Sequence, residues 1–174
     1  PGTPRAESES ESDVVDHGLN RLMASLEMAM DNERSLNAAY MKSSVGKDVN
    51  FGDVVQLRHV KSHKYLTVEP TQVASQEREN LKVSLSEYGS ALSWFTRAPA
   101  FKIDRDGEAC VSGASLVLRV TERPSEMIHC SDTKGYQREV NSSLDRRVWR
   151  ILLYDAPRDD ANRQEHCGDL VRLV

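Results

Sequence analysis

The sequence predicts a mainly β chain built from repeated meanders, with a helical arm ahead of them. Three observations carry this. Gly52-Asp53-Val54-Val55-Gln56-Leu57-Arg58-His59 runs through a polar break at Lys61-Ser62-His63-Lys64 into Tyr65-Leu66-Thr67-Val68, the pattern of a β-hairpin. Its opening returns at Gly113-Ala114-Ser115-Leu116-Val117-Leu118-Arg119-Val120 and at Gly168-Asp169-Leu170-Val171-Arg172-Leu173-Val174. The two tryptophans of the chain, in Ser93-Trp94-Phe95 and Val148-Trp149-Arg150-Ile151, fall near the ends of the first two units and read as corresponding positions. Units of roughly 40 residues with about four short strands each suit a propeller blade or a trefoil lobe.

Ahead of the repeats, residues 1–13 (PGTPRAESESESD) are acidic and low in complexity, and read as a disordered leader extending to residue 16. Its serines stand in acidic context but have no arginine partner nearby, so a solvated linker is the better reading. Residues 17–49 form the arm and a loop. Leu19, Leu22, Met23, Leu26 and Met30 share one helical face, and Asp16 is the expected N-cap. Asp31-Asn32 is the expected break before a second short helix from Glu33 to Met41 carrying Leu36 and Tyr40. Arg21 and Arg34 sit among Glu27, Asp31 and Glu33, a balance that argues against a calmodulin-type target and for packing against a neighbour.

Within residues 50–156, Leu81, Val83 and Leu85 alternate as a strand, Tyr88-Gly89-Ser90 is a turn, and 92–96 forms the strand of Trp94. Phe101-Lys102-Ile103 is expected as a short strand before the turn Asp104-Arg105-Asp106-Gly107. The second unit repeats the plan with Leu116, Leu118 and Val120, a turn at Arg123-Pro124-Ser125, a return strand Met127–Cys130, a strand near Val140, and Trp149–Tyr154. Residues 155–167 read as a linker, and 168–174 open a third copy that stops after one strand, as if cut from something longer.

Composition narrows the function. A net charge of −4 argues against nucleic acid or an anionic membrane as the main partner, and no apolar run approaches the length of a membrane span. The Pro/Gly/Ser/Glu-rich start has no apolar signal-peptide core, and Cys110, Cys130 and Cys167 lack CxxC spacing, which fits a reduced, cytosolic setting. His59 and His63 straddle a hairpin turn without a third ligand at zinc spacing, and no nucleophile elbow, Walker loop or dinucleotide fingerprint occurs. No catalytic residue, metal site or cofactor is therefore expected. Arg58, Lys61, His63 and Lys64 could meet an anion, but a solvated hairpin tip is the simpler account. Trp94 and Trp149 could stack a sugar, but at repeat-equivalent positions in apolar strands they are expected in the core.

Gly52–His59 with Ser62 and Lys64–Val68 closely resembles a region of inositol 1,4,5-trisphosphate receptors, with ryanodine receptors a more distant version. The match continues through Gly89, Ser93-Trp94-Phe95, Pro99, Phe101-Lys102, Glu139-Val140-Asn141-Ser142, Trp149-Arg150-Ile151 and Gly168–Leu173. The resemblance implies a β-trefoil with an inserted helical arm, the suppressor or coupling domain, of which residues 50–156 would be two lobes. Residues 157–174 would be a linker and the first strand of a following trefoil in the ligand-binding core. On this resemblance the first lobe would be absent from the sequence as given, through truncation or displacement by an insertion. The implied setting is a homotetrameric calcium-release channel on the cytosolic face of the endoplasmic reticulum. Its partners would be the downstream core and neighbouring subunits, with inositol trisphosphate held outside this segment.

In such receptors a loop after the tryptophan strand carries an exposed aromatic that touches the adjacent subunit. Arg97, Phe101 and Lys102 are the implied interface residues, with Phe101 where tyrosine is common. The alternative for Phe101 is an inward strand position. The alternative for the whole chain is a trefoil module that binds carbohydrate or protein substrates, as in protein mannosyltransferases.

Overall fold

The computed structural model describes residues 8–131, 138–154 and 163–174. It divides into two compact units, Pro1–Val45 and Gly46–Val174.

The first unit is one α-helix, α1, Ser8–Ser44, 37 residues and about 55 Å long. Two expectations are corrected. The helix already includes residues 8–13, so it starts well before Asp16, which is not its N-cap; residues 1–7 lie outside the described residues. The helix also runs through Asp31-Asn32 without a break. Two polar residues of middling propensity cost roughly 0.7 kcal/mol each at most. A break takes glycine or proline, and Arg34 bridges back to Asp31 at 3.1 Å along the helix surface. Lys42 in the last turn suits the C-terminal dipole, and Ser43 donates to the Tyr40 carbonyl. Leu19, Leu22, Met23, Leu26 and Met30 do share a face, and that face is exposed.

The second unit is a curled antiparallel sheet, a trefoil-like half-barrel. Its strands are β1 (Val54–Val55), β2 (Tyr65–Val73), β3 (Leu81–Ser86), β4 (Phe95–Pro99), β5 (Ser115–Val120), β6 (Met127–Cys130), β7 (Val140–Ser143), β8 (Trp149–Leu153) and β9 (Val171–Leu173). β4 pairs with β1 and β5, and β8 with β5 and β9, while β5–β6–β7–β3–β2 continue the sheet. The predicted hairpin exists at its tip: His59 N–H donates to Lys64 O and Leu66 N–H to Leu57 O. Phe51, Val68, Phe95, Cys110, Leu116, Leu118, Val120, Ile128, Trp149 and Ile151 form the core. The loop before β3 is tied to the far lobe by polar contacts. Glu139 accepts the N–H groups of Ser75 and Gln76, which holds its carboxyl below the usual range, and Glu77 accepts from Asn80 and Asn141.

The three glycine-led openings repeat as a pseudo-threefold, by their shared glycine conformation and a closed ring of hydrogen bonds. Gly52, Gly113 and Gly168 all sit near φ +90° (88, 90 and 94°), where a side chain would be strained. The residues three places before them close a ring of backbone hydrogen bonds. Val49 N–H donates to Glu165 O (3.0 Å), Glu165 N–H to Cys110 O (2.9 Å), and Cys110 N–H to Val49 O (3.1 Å). Residues 163–174 are therefore seated on this sheet: they close the ring, and β9 pairs with β8. The part of the expected linker at 155–162 lies outside the described residues.

The register also corrects the tryptophan equivalence. Val55, three residues after Gly52, faces Phe95, whereas Leu116, three after Gly113, faces Trp149. Phe95 and Trp149 are thus the matched pair, and both are buried. Trp94 is one residue out of register and only half-buried, before β4 begins. The Trp149 indole N–H reaches the Ile128 carbonyl at 2.8 Å.

Candidate interaction site in the loop after the fourth strand

β4 ends at Pro99 and the chain turns outward. Phe101-Lys102-Ile103 is not a strand: these residues form turns, with Asp104 N–H closing on Phe101 O at 3.3 Å. Among the described residues no strand pairs with them, so the apolar alternation that suggested a strand joins no ladder. Phe101 is 54% exposed and Ile103 82% exposed, with Lys102 exposed between them. The inward alternative for Phe101 does not hold in this fold.

The loop is braced at both ends. At its start, Ala100 N–H donates to Ser115 O, and the Arg146 guanidinium donates to the carbonyls of Ala100 and Pro99, the latter at 3.3 Å. At its end, Gly107 at φ +87° donates to Phe51 O at 2.7 Å. Arg105 N–H is capped by Glu108 Oε2 at 3.0 Å. A shallow cleft of about 340 Å³ beside it has Phe101, Lys102, Arg119, Arg146, Asp104 and Asp106 among its lining residues. The result is an apolar tip with charges of both signs around it, the composition of a protein contact rather than an anion pocket.

Arg97 does not belong to this surface. It is 3% exposed and its guanidinium meets Glu165 at 2.5 Å, both side chains inside the sheet. β4 alternates, and Arg97 falls on the inward face with Phe95. Among the described residues, Arg97 Nε and Glu165 Oε1 have no hydrogen-bond partner. Burial is the larger effect on the Glu165 carboxyl and raises it, while Arg97 pulls it back. Burial also pushes the Cys110 thiol up to about 11, so it stays protonated and unreactive at neutral pH. Of the implied interface residues, the structure therefore brings Phe101 and Lys102 together at the surface and removes Arg97.

Reading the sequence missed Ile103, Arg146 and Glu165. Arg146 is far from the loop in sequence, and nothing in its neighbourhood marks it. Glu165 had a signal: it stands where the other two units carry Val49 and Cys110.

The basic hairpin tip does not gather its charges. Arg58 Nε is spent on His63 O, Arg58 also lies over the Tyr65 ring at 5.9 Å, and His59 Nδ1 bonds Ser62 Oγ. Among the described residues no three His, Cys, Asp or Glu side chains come together as a metal site, and no helix is long and apolar enough to cross a membrane.

Comparison with known proteins places the chain. The family profile described as "Inositol 1,4,5-trisphosphate/ryanodine receptor" matches residues 5–160. The chain is 30% identical over 163 residues to the inositol 1,4,5-trisphosphate receptor itr-1 of Caenorhabditis elegans, which covers 87% of this chain but only 6% of that protein. Among solved structures, the SDF2-like protein from Arabidopsis thaliana matches with a TM-score of 0.61 over 72% of each chain at 16% identity, a likeness of fold. With the glycine-led openings and the half-barrel they build, these findings show that the chain belongs to the inositol 1,4,5-trisphosphate/ryanodine receptor family.

Proposed function

We propose that this chain is the N-terminal suppressor/coupling domain of an intracellular, tetrameric calcium-release channel, working on the cytosolic face of the endoplasmic reticulum. It acts without an active site. Inositol trisphosphate binds elsewhere in the parent protein, and this domain passes the resulting shift toward the gate through contacts with the downstream ligand-binding core and with a neighbouring subunit. In this reading α1 is the arm, the sheet from Val49 to β9 forms the trefoil lobes, and the ligand-binding core is a separate part of the parent protein.

The observation that carries the reading is the exposed Phe101–Ile103 tip on a loop braced by Arg146 and Phe51. An exposed aromatic on a fixed base is the kind of residue that dominates a protein contact. Phenylalanine supplies apolar area there without a hydroxyl, so the contact is one of packing.

The test uses the full channel. Phe101→Ala should lower the calcium release obtained at saturating inositol trisphosphate, while ligand affinity stays the same or rises. Unchanged release would overturn the role of Phe101. Tight calorimetric binding of inositol trisphosphate to the 174-residue chain alone would overturn the assignment of the ligand site elsewhere.

A further inference from the structure

The hairpin between β1 and β2 carries chemistry that the loop after β4 does not use. From Val54 to Val68 the sequence holds no acidic residue, and the tip reads Arg58-His59-Val60-Lys61-Ser62-His63-Lys64. Residues 59–64 are all exposed, and none belongs to the core. A few bonds of its own close the tip. His59 N–H donates to Lys64 O and His63 N–H to His59 O, both at 2.8 Å, and Arg58 Nε donates to His63 O at 2.9 Å. His63 sits at φ +56°, an uncommon conformation for a residue other than glycine. The next bond inward, Leu66 N–H to Leu57 O, is a separate one, so opening the tip leaves the sheet paired.

Ser62 stands in the turn at the end of this hairpin. Its N–H donates to His59 Nδ1 at 3.3 Å, so that nitrogen presents a lone pair, and the Ser62 hydroxyl donates to it at 2.9 Å. Ser62 Oγ thus acts as a donor and keeps its own lone pairs. Cations flank it on both sides: Arg58 four residues before, Lys61 one before and Lys64 two after. No other serine has this setting. Those near the start of the chain stand among glutamates, and Ser35, which follows Arg34, lies within α1.

We propose that Ser62 is a phosphoacceptor for a basophilic serine kinase, with ATP as the phosphoryl donor. Ser62 Oγ attacks the γ-phosphorus, the bond from that phosphorus to the β–γ bridging oxygen breaks, and ADP leaves. The hydroxyl proton passes to the kinase's carboxylate base and then to water. Lysine and arginine beside the acceptor are what the acidic subsites of such a kinase read, through charge-assisted hydrogen bonds. The product is a charge switch. Arg58, Lys61 and Lys64 give the tip a formal charge of +3, and a phosphoserine among them brings it to about +1. Cations that the bare tip does not gather then have an anion on the tip itself, fixed by a covalent bond.

The experiment incubates the full 174-residue chain with magnesium ATP and the catalytic domain of a serine kinase that prefers basic residues on both sides of its acceptor. Radiolabel gives the rate, and peptide mass spectrometry gives the position. The expected result is one phosphoryl group on Ser62, lost in Ser62→Ala. Lys61→Gln combined with Lys64→Gln removes the cations nearest the acceptor at exposed positions. It should lower kcat/KM for Ser62 at least tenfold with an unchanged melting curve, a split that a merely structural role of the lysines does not give. A kinase that prefers acidic flanks should leave Ser62 unmodified. An unlabelled Ser62 in the folded chain, labelling only after denaturation, or equal rates for the parent and the double lysine variant would overturn the proposal. So would modification of Ser62 by the acid-preferring kinase at the same rate.

Discussion

β4 and β8 occupy equivalent places in the pseudo-threefold, and their centres differ. Gly52 N–H donates to the Arg97 carbonyl and Gly113 N–H to the Ile151 carbonyl, so Arg97 and Ile151 are the same position in two lobes. Ile151 packs into the apolar core. Arg97 is equally buried and is tolerated because Glu165 stands opposite, where the ring otherwise carries Val49 and Cys110. The difference teaches that the site accepts either a hydrocarbon or a paired ion, and that one without its complement should fail.

The largest break is therefore Ile151→Arg, a charge brought into a position with no acid provided. An unpaired buried charge costs several kcal/mol, against a typical stability of about 5–15 kcal/mol. The variant should be unfolded or molten by near-ultraviolet circular dichroism, whereas Ile151→Val should cost about 0.5–1.5 kcal/mol by urea titration.

Next comes the pair itself. Glu165→Ala leaves Arg97 buried and alone, and should cost about 3–5 kcal/mol. Arg97→Ile with Glu165→Leu makes β4 resemble β8. It should return to within about 1 kcal/mol of the parent or exceed it, since replacing a buried ion pair by packed hydrocarbon is often neutral or stabilising. A double variant as weak as Glu165→Ala would mean that the ion pair, and not the shape of the site, holds the ring together.

A smaller effect separates the pair by pH. The Glu165 carboxyl is raised in the folded chain by burial, with Arg97 opposing. A raised carboxyl contributes stability that is fully present below the ordinary carboxylate pKa of about 4.3 and is lost as pH rises through the raised value. Denaturant titrations should show the parent losing stability relative to Glu165→Gln as pH climbs through that window, and the difference flattening above it. A difference that instead grows in the parent's favour with pH would mean that Arg97 outweighs burial.

How much of this the sequence carried depended on whether a signal was local. The glycine-led openings were legible because a positive φ and the alternating run behind it are properties of a few adjacent residues, and they marked all three ring positions. The apolar stripe from Leu19 to Met30 likewise marked the helix, but not its length. Capping preferences at Asp16 and Asp31-Asn32 are worth little against a long run of good helix formers. Trp94 misled because matching two rare residues is not the same as matching register, which slips by one without any change in composition. Nothing near Arg97 in the sequence distinguishes it from a surface charge, because its acid lies in a distant segment. The partnership becomes visible only once the ring closes.

The smallest effect on stability is expected where function is proposed to lie. Phe101 is 54% exposed and lies outside the core cluster, so Phe101→Ala should move the folding free energy by no more than about 0.5 kcal/mol. Arg146→Ala removes the donor from the Pro99 and Ala100 carbonyls, and at a part-exposed site should cost about 1 kcal/mol. If the loop works as a fixed anchor, the two variants should nevertheless lower calcium release in the full channel to a similar degree, one by removing the aromatic and the other by releasing its base. Hydrogen exchange at 101–104 divides the causes: it should rise in Arg146→Ala and stay unchanged in Phe101→Ala. Arg146→Ala that speeds exchange yet leaves release intact would show that the aromatic alone suffices, and that the bracing of the loop belongs to the fold and not to the contact.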